Sequence, residues 1–386
     1  MALTLRVTWR RVVLALVGLG LAGLAFAWSG ILNIGASTGH WAITSWFLHW
    51  SMGNTVRTWS LLTVDDSYVA GMDREHLVAA AGHFAAQCSV CHGAPGEPPS
   101  PVMRAATPPA PDLATTEGKW KDRELFWIIR HGVKYTPMPA WPAGERLDEI
   151  RGMVAFVRSL PDMTPRAYRE LAYGGDATAA TGRVVRFDDA LRDCERCHAD
   201  DGRGQPDIPV LAGQKTSYLV ASLEAFAEGR RPSGVMGAAA SRVDPALFTA
   251  LAEHYAGQPR RARPPELVAA EPLPERTAAA TAEGEDRQAL AARVSQHGLA
   301  EARLPACLSC HGPGERPPEL PRDAPVLEGQ KAPYLAKRLR GWRGDPKVVE
   351  ARKSTDTMAM IARRIPEDLI EPLARHFAAL TPGEDR

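Results

Sequence analysis

The sequence predicts a mostly α-helical chain, with three tandem domains behind an N-terminal membrane-crossing helix and a short tryptophan-rich helix. Three observations predict it. All six cysteines fall in three five-residue motifs, Cys88-Ser-Val-Cys91-His92, Cys194-Glu-Arg-Cys197-His198 and Cys307-Leu-Ser-Cys310-His311. The motifs begin 106 and 113 residues apart, and each is followed by a proline-containing loop, a methionine and an apolar stretch at helical spacing. Residues 12–34 carry no charge, with Arg6, Arg10 and Arg11 just before them.

The spacing Cys-x-x-Cys-His has a chemical reason. Two thiols must reach the two vinyl groups on one edge of a porphyrin, and the next residue must set an imidazole nitrogen on its iron. One turn of helix followed by histidine does both. A zinc site has no need of histidine after every second cysteine, and a disulfide scaffold of this length would not rest on six cysteines. The sequence therefore predicts three covalently attached haems c, held by Cys88, Cys91, Cys194, Cys197, Cys307 and Cys310, with His92, His198 and His311 as proximal iron ligands.

Composition agrees. The net charge of +1 over 386 residues excludes a nucleic-acid binder. Aromatics make up 7%, which suits small domains whose apolar core is largely porphyrin. Thiol attachment of haem takes place outside the cytoplasm, so the chain must be exported. About 20 apolar residues span a bilayer, and arginines on the N-terminal flank keep that end cytoplasmic. Residues 1–38 are read as a retained transmembrane anchor in a bacterial inner membrane, with the haem domains periplasmic. The competing reading is a signal peptide cleaved after Ala25-Phe-Ala27.

Six of the ten tryptophans lie in the first 60 residues. Residues 39–71 are read as an interfacial segment in which Trp46, Phe47, Trp50 and Val56 share one helical face, since tryptophan favours the membrane–water boundary. The competing reading is a helix packed on the first domain. His40 and His49 are read as polar anchors.

The next segments are domain 1 at 72–172, domain 2 at 173–262, a linker at 263–285 and domain 3 at 286–386. Residues 162–185 and 257–285 read as connections, the latter as an extended tether. Domains 2 and 3 are a duplication. Pro209-Val-Leu-Ala-Gly-Gln-Lys215 matches Pro325-Val-Leu-Glu-Gly-Gln-Lys331, Ser217-Tyr-Leu219 matches Pro333-Tyr-Leu335, and Met236 and Met358 each precede a matching histidine, His254 and His376, by 18 residues. In domain 1, Gly82 and Phe156 are read as a close helix crossing, and Pro161 as the end of the last helix.

A second axial ligand is expected on each iron. Met138, between two prolines in Tyr135-Thr-Pro-Met-Pro-Ala-Trp141, is the candidate for the first haem. Met236 is the candidate for the second, and Met358 for the third with Met360 as its rival. Core packing, the usual role of methionine, is weakened by recurrence at one place in each unit. His131, His254 and His376 are the histidine alternatives, read as structural. Methionine ligation raises the reduction potential. Pro111, Pro209 and Pro325 are candidates to offer a carbonyl to the proximal imidazoles.

These residues resemble tandem class I cytochromes c. Cys-x-x-Cys-His, then Gly213, Gln214, Tyr218 and Leu219, then Met236, make the second and third domains similar to the halves of cytochrome c4. Trp120, Glu124-Leu-Phe126, Gly132 and Met138-Pro-Ala-Trp141 make the first similar to monohaem domains of membrane-bound respiratory cytochromes. The resemblance implies a class I fold around each haem and carries over the three ligand sets: Cys88, Cys91, His92 and Met138; Cys194, Cys197, His198 and Met236; Cys307, Cys310, His311 and Met358. The chain departs from the pattern at Ala199, where glycine usually follows the histidine, and in its tryptophan-rich region.

The function expected is a membrane-anchored electron carrier in a respiratory chain, not itself an enzyme. Electrons would enter from a quinol-oxidising complex or a periplasmic dehydrogenase and leave to a terminal oxidase or a soluble periplasmic carrier. The alternative is the trihaem subunit of a membrane-bound sugar or alcohol dehydrogenase. A haem peroxidase, which needs an open iron, is disfavoured by three methionine candidates.

Overall fold

The structure, a computed structural model, describes residues 8–31, 34–35, 38–70, 77–115, 118–174, 183–205, 208–261, 263–271, 282–312, 324–344 and 357–380. Arg6, residues 175–182 of the 162–185 connection and the middle of the 263–285 linker lie outside them. Among the described residues the chain is helical, with isolated β-bridges and no strand.

α1 (Trp9–Trp28) is apolar along its length and buries none of its residues. Its 20 residues rise about 30 Å, the thickness of a bilayer's hydrocarbon core. Among the described residues it is the one helix long and apolar enough to cross a membrane. α2 (Ala42–Thr63) divides into two halves. Gly53, Val56 and Ser60 are buried in the second half, where the helix packs on the Asp122–His131 helix of the first unit. Trp46, Phe47 and Trp50 remain exposed in the first half, with the two indoles stacked 6.1 Å apart. Val56 therefore does not share the aromatic face, contrary to the expectation from spacing. The second half is packed on one face only, since Trp59, Leu61 and Leu62 also stay exposed.

The first unit begins with α3 (Leu77–His83). It runs through a π-helical turn, Phe84–Cys88, into α4 (Ser89–His92), so the first motif lies on the end of one continuous helical stretch. α5 (Pro101–Arg104) follows, capped by Ser100. In α6 (Asp122–His131) the Glu124 carboxylate accepts from the Lys121 N–H at 2.8 Å and closes the first turn. α7 (Leu147–Ser159) ends in a 3-10 turn through Pro161. α8 (Pro165–Tyr173), capped by Thr164, occupies sequence read as a connection. It is helical because Tyr168 and Ala172 close the core, where Phe84, Phe156 and Tyr168 meet with ring centres 5.3 to 6.5 Å apart. Each such buried ring contributes about 2–3 kcal/mol.

The second unit is α9 (Phe187–His198), α10 (Thr216–Ala227), α11 (Gly234–Arg242) and α12 (Phe248–Ala256), with α12 packed on α9 and α10. The third begins earlier than the sequence suggests. α13 (Pro265–Ala270) lies in the linker, yet Val268 is buried in the third core and the Arg375 guanidinium donates to its carbonyl at 2.9 Å. The described part of the linker is thus docked rather than extended. α14 (Ala282–His297), α15 (Leu308–His311), α16 (Ala332–Arg343), α17 (Thr357–Ala362) and α18 (Glu367–Ala379) complete the unit. α16 on α18 repeats α10 on α12, as the duplication requires.

Candidate haem-binding sites

The histidines of the three motifs are held alike. Nδ1 of His92 lies 2.9 Å from the Pro111 carbonyl, Nδ1 of His311 lies 2.8 Å from that of Pro325, and Nδ1 of His198 lies 3.4 Å from that of Pro209. A carbonyl can only accept, so Nδ1 carries the proton and Nε2 is left with its lone pair, the state a metal needs. Burial lowers the His198 imidazole to about 4 and also lowers His311, keeping both neutral. The first cysteine of each motif faces inward: burial pushes the thiols of Cys88 and Cys194 up to about 12 and that of Cys307 to about 11.

Gly93, after the first histidine, turns the chain with φ +66 and ψ 177. Ala199, after the second, makes the same turn with φ +61 and ψ 164. The departure from glycine leaves the turn in place and puts strain on Ala199, because that region of backbone space suits only glycine.

One cavity of about 1150 Å³ runs between the second and third units. Cys194, Cys197, His198 and Met236 line it from one side, and Cys307, Cys310, His311 and Met358 from the other. Its wall is otherwise largely apolar, with Val210, Leu219, Leu251, Leu335, Ile361 and Leu373. The volume exceeds the roughly 300–1,000 Å³ of a single small-molecule pocket, and the lining fits two porphyrins. Met358 lines it, whereas Met360 does not and is 44% exposed. Ala79, Ala80, Gly82, His83 and Ala86 of the first unit also reach its edge, but Cys88, Cys91, His92 and Met138 do not line it.

Met138 lies on a separate loop stapled to the end of α6. The Val133 N–H donates to the Met138 carbonyl at 3.2 Å, the Thr136 hydroxyl accepts from the Met138 N–H at 3.2 Å, and the Trp141 N–H donates to the Arg130 carbonyl at 3.2 Å. Gly132 turns the chain with φ +64, and a Cβ there would fall 2.5 Å from the Pro139 carbonyl carbon.

The repeated Gly-Gln-Lys segments join the second and third units. The Gln330 amide accepts from Val210 N–H and donates to Val210 C=O, both at 2.9 Å. Gln214 does the same to Val326, at 2.8 and 3.1 Å. Lys215 donates to the Ala324 carbonyl at 3.1 Å and Lys331 to the Ile208 carbonyl at 2.5 Å. Sequence reading saw the repeat and missed its purpose. Arg231 also spans the cavity wall, donating to the hydroxyls of Tyr218 at 3.4 Å and Tyr334 at 3.2 Å. Burial alone would raise the Tyr218 hydroxyl, but the guanidiniums of Arg231 and Arg338 lower it.

The first unit docks on both others. Gly82 makes room for the Arg196 guanidinium of the second motif, which donates to the Ala172 carbonyl. The helices that carry Gly82 and Phe156 do pack on each other, α3 on α7, but the room at Gly82 itself is taken by Arg196, while Phe156 packs on Phe84 and Tyr168. Arg146 donates to the Pro232 carbonyl at 3.1 Å, and Asp148 pairs with Arg146 and with Lys337 of the third unit. Burial would raise the Asp148 carboxyl, but Arg146 and Lys337 hold it well below the usual range. His83 is buried against Trp141, ring centres 4.5 Å apart, and burial lowers its imidazole to about 4.

The other histidines considered in the sequence lie elsewhere. His376 lies 2.9 Å from the Ser295 hydroxyl, His254 stands between Phe187 and Tyr255, and His131 packs on Trp127. Nδ1 of His49 lies 2.7 Å from the Ser45 carbonyl, and His40 is exposed.

Comparison with known proteins adds to this geometry. Residues 77–157 match the family described as cytochrome c oxidase, cbb3-type, subunit III. The chain is 36% identical over 160 residues to a thiosulfate dehydrogenase electron acceptor of Thiomonas intermedia, a match that takes in 40% of this chain and 66% of that protein. It is 28% identical to a protein of the same description from Stutzerimonas stutzeri, over 59% of this chain and 93% of that one. Cytochrome c4 of Azotobacter vinelandii is 27% identical, over 50% of this chain and 80% of its own length.

Proposed function

We propose that this member of the cytochrome c family, an electron carrier with cytochrome c4-like domains and three sites fit for covalent haem c, is a membrane-tethered electron acceptor. In this reading the paired second and third units take electrons from a periplasmic dehydrogenase, and the first unit passes them to a membrane oxidase. The observation that carries it is the split character of α2. Its second half packs one face on the first unit, while its first half exposes Trp46, Phe47 and Trp50 and follows the apolar α1 in the chain. The first unit is thereby the one tied to the apolar helices, and its match to an oxidase subunit family agrees. The relatives described as thiosulfate dehydrogenase electron acceptors favour a sulfur-oxidising donor over a sugar or alcohol dehydrogenase.

The haems supply reversible one-electron chemistry, and the chain holds, orients and shields them. His92 with Met138, His198 with Met236 and His311 with Met358 are the proposed iron ligands. The proline carbonyls set the proximal imidazoles, the Gln214–Gln330 pairing keeps water from the shared cavity, and Arg231 with Arg338 offers positive charge to porphyrin carboxylates there.

Stopped-flow mixing of the oxidised full chain with a thiosulfate dehydrogenase and thiosulfate tests the donor. Reduction within seconds is expected, and none at all excludes this donor class. Oxidation of the reduced chain by membranes containing a cbb3-type oxidase tests the acceptor. Crosslinks joining the third unit, rather than the first, to the oxidase would overturn the ordering.

A further inference from the structure

Glu149 of α7 belongs to the first unit but ends on the second. Its side chain is 8% exposed. One carboxylate oxygen accepts from the Ser233 hydroxyl at 2.5 Å and the other from the Gly234 N–H at 2.6 Å. The Ser233 oxygen in turn accepts from the N–H of Met236 at 2.9 Å. A continuous chain of hydrogen bonds therefore runs from a carboxylate in one unit to the backbone of the candidate iron ligand in another.

The surroundings hold that carboxylate still. Arg146 pairs with it at 3.0 Å and the Trp141 indole N–H donates to it at 3.3 Å. Trp141 also lies so close to Gly234 that no side chain fits there. Negative charge at the start of α11 is favoured by the helix dipole, and a charge-assisted bond to a hydroxyl is short and stiff. Ser233 alone would cap α11, as it does by sequence. The carboxylate adds what a local cap cannot, by tying the orientation of α11 to the neighbouring unit.

We propose that Glu149 is a positioning residue for Met236, so that the distal ligand of the second haem is set from outside its own domain. Docking of the first unit then tunes the second haem while leaving the third, whose Met358 lies on α17, untouched. The inference rests on Met236 being a distal ligand.

The test uses the full chain with three haems confirmed. Met236→Ala should lose about one third of the weak Met-to-ferric-iron band at the red end of the spectrum and open one reduced haem to carbon monoxide. If it does neither, the ligand assignment itself fails. Glu149→Ala should weaken the same share of the band and admit carbon monoxide at the same haem. Glu149→Gln, which keeps an acceptor, should fall between it and the parent, and Ser233→Ala should act on the same haem. A full band and no carbon monoxide binding in Glu149→Ala, with Met236→Ala behaving as expected, overturns the proposal. So does a loss spread over all three haems, which is general loosening rather than positioning.

Discussion

Gln214 and Gln330 occupy equivalent places in two duplicated units, and each closes its amide on the other unit's backbone, at Val326 and Val210 respectively. The interface is self-complementary within one chain, as a two-fold dimer's would be. Both glutamines are buried, and so is Val210, whereas Val326 is half-buried.

Removing one amide leaves a buried N–H and C=O without partners, each costing about 1–3 kcal/mol. Gln330→Ala should therefore lower stability by roughly 2–4 kcal/mol, read from denaturant unfolding. Gln214→Ala should cost less, because Val326 is only half-buried and its carbonyl keeps the Arg260 guanidinium at 3.5 Å. The double variant should cost less than the sum, since both report one interface. Strict additivity would mean the two contacts are independent.

Ala199 stands with φ +61 and ψ 164 where Gly93 makes the same turn in the first unit. Such a conformation costs a residue with a side chain about 1–3 kcal/mol, against roughly 0.5–1 kcal/mol of extra backbone entropy for glycine. Ala199→Gly should raise the thermal midpoint by a few degrees without moving the visible haem bands. A lower midpoint would contradict the strain.

His83 should make the chain acid-sensitive. Burial lowers its imidazole from the ordinary 6.5 to about 4, so the folded chain resists a proton that the unfolded chain accepts. Its contribution is whole above pH about 6.5 and is lost as pH falls from there toward about 4, by at most ~3 kcal/mol. His83→Phe should flatten unfolding stability across that window. An unchanged slope would assign the acid sensitivity elsewhere.

Asp148 acts in a lower window. Its carboxyl is held below the usual range by Arg146 and Lys337, so its stabilisation is present above the unfolded value of about 3.9 and is lost as pH falls through the lower folded value. Asp148→Asn should destabilise the neutral-pH protein by about 1–3 kcal/mol, because it takes one partner from Arg146, which keeps Glu149, and one from the half-buried Lys337. It should also remove part of the acid transition below pH about 4.

Met358 and Met360 are separable by one pair of variants. Met358→Ala should remove about one third of the Met-to-iron band, and Met360→Ala should leave it whole. The reverse result would move the third ligand two residues along the chain.

Much of the site was legible in sequence because its chemistry is local. Cysteine, cysteine and histidine on one helical turn carry their meaning without a fold, and all three proline carbonyls expected beside the proximal histidines are found there. Duplication marked Met236 and Met358 as equivalent, and hydropathy marked α1. Other readings went astray where the partner lay in another unit. The helix of Gly82 crosses that of Phe156 as expected, but Gly82 itself receives Arg196 from the second unit. Residues 165–173 and 265–270 looked like connections, and are helices because Tyr168 and Val268 find cores to enter.

The sequence by itself determined the cofactor chemistry, the helical class, the apolar N-terminal helix and the repeat, since each depends on residue type and short spacing. Only the tertiary structure decided that the second and third motifs open on one cavity, that paired glutamines close it, and that Glu149 reaches Met236 across a boundary. Those contacts join residues more than 80 positions apart. A carboxylate or amide on a helix surface has no local signature of its partner. Burial against another unit turns an ordinary polar side chain into one whose hydrogen bonds must be met.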